Sequence, residues 1–144
     1  EHMLSAVLAT QLRLMLSTYE GATAQPVVLL ATLPGEHHAL GMEMAALYLA
    51  LSGATPRLLG VDSPPDQIVS AARHARARVI GISISASAKL DAVTEDLEWL
   101  LRETDDDTRV WLGGRRSKSV ALIHPRLDRL PTWDDLDGAL ARLN

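Results

Sequence analysis

Val27-Val28-Leu29-Leu30-Ala31 is a short, wholly apolar run, followed by Leu33-Pro34-Gly35-Glu36-His37-His38-Ala39-Leu40-Gly41 and then by a helical pattern to Leu51. Five apolar residues with no polar alternation fit a strand buried on both faces, as in a parallel sheet. The unit of strand, loop and helix then recurs down the chain. Gly53 stops the first helix, and Arg57-Leu58-Leu59-Gly60 reads as a second strand. Asp62-Ser63-Pro64-Pro65 turns into a helix from about Asp66 to Ala75, with proline well placed at its start. Arg78 to Ser83 is a third strand, Leu90 to Arg102 a helix, and Val110-Trp111-Leu112 a fourth strand after the acidic turn Asp105-Asp106-Asp107. The stretch from there to Pro125 has no clear pattern. Leu127 to Leu130 is a short fifth strand, and Thr132 caps a last helix through Leu143.

Five strands alternating with helices predict an α/β fold with a parallel sheet covered on both faces. Right-handed crossovers make it a doubly wound, flavodoxin-like sheet of strand order 2-1-3-4-5. Ahead of this unit, apolar residues at Leu4, Val7, Leu8, Leu12, Met15, Leu16 and Tyr19 form a helical stripe. The chain therefore divides into a helix over 1–20, a linker over 21–26 and the α/β unit over 27–144.

The 144 residues are enough for one domain with a real core. They are 47% hydrophobic but only 3% aromatic, with no Phe, so the core must be aliphatic. A net charge of −4 draws in neither nucleic acid nor anionic membrane. The compact basic cluster Arg115-Arg116-Lys118 reads as a solvated rim, with a phosphate contact as its alternative. The absence of cysteine removes disulfides, thiolate metal sites and cysteine nucleophiles, and suits a cytoplasmic protein. No run approaches the roughly 20 apolar residues that span a bilayer, and no secretory signal pattern opens the chain.

Ligands of doubly wound sheets sit beyond the carboxyl ends of the strands, where strand order reverses. Three signals converge there: E-x-H-x-x-G from Glu36 to Gly41, Ser83-Ile84-Ser85, and Gly113-Gly114. Their chemistry fits a corrinoid. His38 offers a neutral imidazole nitrogen to cobalt while Glu36 accepts a hydrogen bond from the other ring nitrogen, fixing the tautomer. Gly41 lets the next helix approach closely. Ser83 and Ser85 offer hydroxyls to a polar group lowered into the slot, and Gly113-Gly114 leave room for a long tail. Singly, each has a plainer reading: a surface histidine, a helix-capping serine, a turn. His37 is the rival ligand but has the wrong spacing to Glu36 and Gly41. His74 and His124 read as structural or exposed, and Trp99, Trp111 and Trp133 as core.

Glu36, His38, Gly41, Ser83 and Gly113-Gly114 together resemble the cobalamin-binding domain family, whose pattern is D-x-H-x-x-G, then S-x-L, then G-G. The resemblance covers roughly Pro26 to Asn144. It implies that His38 is the lower axial cobalt ligand in the base-off form, that Glu36 is its partner, that Ser83 touches the buried tail, and that Gly113-Gly114 floor the slot. Glu36 in place of Asp and Ser85 in place of Leu depart from the pattern. The first changes the reach of the carboxylate; the second makes the pocket wall more polar.

Leu33 to Gly41, with Leu59-Gly60-Val61-Asp62-Ser63-Pro64, is most similar to the C-terminal part of MerR-family, cobalamin-dependent light-sensing repressors of the CarH type. There a four-helix bundle carrying W-x9-E-H precedes the cobalamin domain. The resemblance implies that 1–20 is the last helix of a truncated bundle and that Glu1-His2 end its upper-face motif, with His2-Met3 as a cloning remnant the alternative. It further implies adenosylcobalamin as cofactor, a light-triggered change of assembly, a homo-oligomer in the full-length protein, and DNA contacts through a domain absent here. A corrinoid carrier of a methyltransferase or mutase is the competing expectation, and a haem-binding variant a third. No acid/base pair for an enzyme is legible.

Overall fold

The structure, a computed structural model, describes residues 2–17 and 25–143. Helix α1 spans His2–Ser17; β1 is Val27–Ala31, α2 Leu40–Leu51, β2 Thr55–Gly60, α3 Pro65–Ala75, β3 Val79–Ser83, α4 Leu90–Glu103, β4 Arg109–Gly113, β5 Leu127–Leu130 and α5 Trp133–Arg142. All five strands are parallel, in the order β2-β1-β3-β4-β5. The expected flavodoxin-like doubly wound sheet is therefore the observed one. The sequence reversal falls between β1 and β3, which pair directly from Val28↔Val79 to Ala31↔Ile82.

Side-chain alternation along the strands builds two cores. Leu29, Ala31, Ile80, Ile82, Val110 and Leu112 pack with α3 and α4 on one face. Val28, Leu30, Val79, Trp111 and Leu130 pack with α2 and α5 on the other. These central strands are apolar at consecutive positions because both of their faces are buried, so the missing alternation was a correct strand signal. Helix α1 lies against α2, with Arg13 reaching the buried Glu43 at 3.0 Å.

Several boundaries move for identifiable reasons. Strand β2 starts at Thr55, two residues before the expected Arg57, because Thr55 pairs with Val27. Pro56 is tolerated there since β2 is an edge strand, where a missing N–H costs no ladder bond. The unpatterned stretch after β4 opens with a 3-10 turn, Arg115–Ser119. Thr132 caps α5 as expected, and Asp135 completes a reciprocal capping box. Trp133 is a correction: it is 43% exposed rather than core, because it opens α5 at the sheet edge and stacks on Tyr48 with ring centroids 5.1 Å apart. Glu1 and 18–24, which include most of the expected linker, lie outside the described residues, as does the side chain of His2.

Candidate functional site

The loop after β1 is shaped before any ligand arrives. Leu33-Pro34-Gly35-Glu36 forms a turn closed by the Glu36 amide donating to the Leu33 carbonyl at 3.0 Å. Gly35 adopts φ +86°, which the third position of a type II turn requires. Behind it the fully buried Thr32 hydroxyl donates to the Glu36 carbonyl at 2.7 Å and accepts from the Asp62 amide at 2.9 Å. The Asp62 carboxylate in turn accepts from the Gly35 amide at 2.7 Å. The histidine-bearing loop is thus tied to the loop after β2, and both Thr32 and Asp62 escaped the sequence reading of the site. Their signal was thin: a hydroxyl and a carboxylate at strand ends.

Glu36 is 8% exposed, and four donor groups meet its carboxylate. His38 Nδ1 lies 2.8 Å from Oε2 and the His38 amide 3.3 Å. The Ser85 amide donates to Oε1 at 2.8 Å, and the Ser85 hydroxyl sits 2.9 and 3.0 Å from the two oxygens. Burial pushes the Glu36 carboxyl up, but the Ser85 amide, the His38 ring, the Ser85 hydroxyl and the His38 amide together hold it below the usual carboxylate range. A charged carboxylate there binds a protonated Nδ1, so His38 keeps its Nε2 lone pair for a ligand. The His38 side chain is 68% exposed at the rim of the sheet. His37 is exposed and makes no such contact among the described residues, so only His38 is oriented.

Beside this loop, a cavity of about 280 Å³ opens between the sheet and α2 and α5. Ser83, Gly41, Gly113 and Gly114 all line it. Its floor is Leu30, Gly81 and Trp111, and Pro131 and Trp133 stand at the α5 side. The glycines hold it open. A Cβ on Gly81 would come within 2.5 Å of Leu30 Cδ2, one on Gly41 within 3.0 Å of Ser83 Oγ, and one on Gly114 within 2.3 Å of the Ile84 carbonyl oxygen. Gly81 was overlooked, although a glycine inside a strand marks a close approach.

Two expectations about the site change. Ser85 does not line the cavity; its hydroxyl is spent on Glu36, because the longer acid reaches across to it. Arg116 is no solvated rim residue: its guanidinium bridges the Ala86 and Ala88 carbonyls at 3.0 and 2.7 Å, tying the loops after β3 and β4 together. Arg115 remains exposed at the cavity edge. His124 is structural, its Nδ1 accepting from the Arg126 amide, and His74 is exposed.

Small-molecule pockets run from roughly 300 to 1,000 Å³, so this slot suits one arm of a large cofactor whose main body rests outside. Its lining is mostly apolar, with Ser83, Trp111 and Arg115 among its few polar groups. The buried Trp111 Nε1 has no partner, and the Ser83 hydroxyl has no hydrogen bond among the described residues. An oriented imidazole beside an apolar slot fits a large corrinoid cofactor. A doubly wound sheet with an oriented histidine and a slot at its switch point fits one class, a corrinoid-binding module. The chain belongs to the B12 binding domain family, which matches residues 26–121.

Two repressors of Myxococcus xanthus are among its relatives. The HTH-type transcriptional repressor CarA is 29% identical over 102 residues, covering 71% of this chain and 35% of the repressor. The HTH-type transcriptional repressor CarH is 30% identical over 114 residues, 76% of this chain and 38% of the repressor. The chain thus spans little more than a third of the length of either. Among solved structures, a cobalamin-binding protein from Desulfitobacterium hafniense superimposes with TM-score 0.66 at 21% identity, covering 94% of this chain and 66% of that one. The methanol:cobalamin methyltransferase complex MtaBC of Methanosarcina barkeri gives 0.66 at 18%, covering 88% and 50%. At those identities the likeness concerns the fold alone.

Proposed function

We propose that the chain is the cobalamin-binding sensor part of a light-responsive transcriptional regulator, taking the corrinoid base-off with His38 as the lower axial cobalt ligand. The observation that carries this is the 2.8 Å contact between His38 Nδ1 and Glu36, which presents Nε2 beside the slot. Ser83, Gly113 and Gly114 receive the displaced tail, and Gly41 keeps α2 close. Adenosylcobalamin, when bound, would supply a cobalt–carbon bond that light can cleave. The likeness to CarA and CarH supports the regulator over an enzyme.

In this reading α1 is the last helix of a bundle over the upper face, with Glu1 and His2 as upper-face residues. DNA is reached through another part of the full-length protein, which acts as a homo-oligomer in the cytoplasm. Among the described residues no helix is long and apolar enough to cross a membrane. A corrinoid carrier serving a methyltransferase is the second reading, favoured by the fold shared with MtaBC.

Visible spectra of the chain with adenosylcobalamin, in the dark and after green light, test the proposal. The expected result is a histidine-ligated, base-off spectrum that changes irreversibly on illumination. His38→Ala should lose that signature and weaken retention, whereas His37→Ala should not. Equal effects of the two substitutions would overturn the ligand assignment. Binding of methylcobalamin or adenosylcobalamin with no change in sedimentation on illumination would favour the carrier.

A further inference from the structure

The sequence departs from the D-x-H / S-x-L pattern at Glu36 and Ser85, 49 residues apart, and these two residues are in contact. Glu36 faces two ways: Oε2 takes the His38 ring and amide, while Oε1 takes the Ser85 amide. The Ser85 hydroxyl sits between the two oxygens at 2.9 and 3.0 Å. Ser87 Oγ, 2.9 Å from Ser85 Oγ, supplies a further partner for that hydroxyl. An aspartate at 36 would be shorter by one methylene, about 1.5 Å, and its carboxylate would not span from His38 to Ser85. A leucine at 85 would remove the hydroxyl and leave a nearly buried carboxylate with fewer donors, a deficit that such a group cannot carry without cost.

We propose that Glu36 and Ser85 form a compensated pair, in which Ser85 is a positioning residue that holds the longer carboxylate against His38 Nδ1 and so sets the imidazole for the metal. Ser85 does so from outside the slot. The inference rests on the cobalamin reading for its consequence, but its geometry belongs to the ligand-free chain. Groups that orient a metal-binding histidine typically carry 10- to 100-fold in affinity.

The test is a substitution cycle of Glu36→Asp, Ser85→Leu and the double variant, with Ser85→Ala and Ser85→Thr as controls of size and hydroxyl. Two readouts are taken: the His38 ring tautomer by ¹⁵N NMR of the ligand-free chain, and adenosylcobalamin affinity with its histidine-ligated spectrum. Expected are a loss of the Nδ1-protonated tautomer and about a tenfold loss of affinity in Ser85→Ala and in each single member of the cycle. Ser85→Thr should retain both properties, and the double variant should recover to within about threefold of the parent. Additive losses in the double variant, or a Ser85→Ala protein with unchanged tautomer, would overturn the pair. A non-additive tautomer cycle in a chain that binds no cobalamin would sustain the pair and defeat the proposed function instead.

Discussion

Arg13 of α1 meets Glu43 of α2 at 3.0 Å, with the carboxylate buried and the guanidinium more than half exposed. The second oxygen of Glu43 is buried without a partner, so Arg13 is its main compensation among the described residues. Removing the cation should strand a buried carboxylate. Arg13→Ala is expected to lower stability by about 1–2 kcal/mol, less than a fully buried pair would give because solvent screens the arginine. Glu43→Gln in the same background should restore most of it. Thermal melts of the three proteins check this, and equal stability of Arg13→Ala and parent would show that α1 is not anchored by this contact.

Helix α1 also exposes Val7, Leu8, Leu14 and Met15. A patch of this kind on one helix favours association. Sedimentation should show weak, concentration-dependent self-association of the chain that deletion of residues 1–20 removes. A strict monomer at all concentrations would argue that α1 leaves no adhesive surface.

Glycine substitutions should separate the slot from the fold. At Gly81 the added Cβ meets a flexible leucine end, so Leu30 can yield into the cavity. Gly81→Ala should keep a near-parental melting temperature while costing tenfold or more in cobalamin affinity. At Gly114 the added Cβ meets a backbone carbonyl, and φ is +106°. Gly114→Ala should destabilise the protein itself, by about 1–3 kcal/mol. Calorimetric melts beside cofactor titrations distinguish the two outcomes.

Glu36 has a pKa lowered on folding by its Ser85 and His38 donors, against the push of burial. A depressed carboxylate contributes stability that is present above its unfolded pKa and is lost as pH falls through its folded value. The acid limb of the stability profile, below about pH 4.5, should therefore flatten in Glu36→Gln. Denaturant melts from pH 6 down to pH 3 measure it; parallel profiles for the two proteins would contradict the assignment.

This chain alone should not shift a DNA fragment. Its net charge is −4, and phosphate neutralisation supplies most non-specific affinity. Arg116 is already committed to the Ala86 and Ala88 carbonyls, which thins the cluster it forms with Arg115 and Lys118. A salt-sensitive gel shift by the isolated chain would point back to Arg115 and Lys118.

The order of strands, the two-sided burial of β1, β3 and β4, and the loop carrying His38 were all legible in the sequence. Apolar runs, proline and glycine stops and the E-x-H-x-x-G spacing are local, and local chemistry determines them. What each residue touches was not legible, since that depends on which strand ends the sheet brings together. Ser85 read as a slot residue, yet it serves Glu36, because parallel pairing sets the end of β3 beside the loop after β1. Trp133 read as core, yet it guards the slot, because α5 begins at the edge strand. Gly81 carried no motif, yet pairing in register opposite Trp111 makes it the slot floor. The sequence by itself determined the sheet, the family pattern and the pairing of His38 with Glu36; only the tertiary structure decided what holds Glu36 and what lines the slot, because those contacts join segments from 49 residues apart to the two ends of the α/β unit.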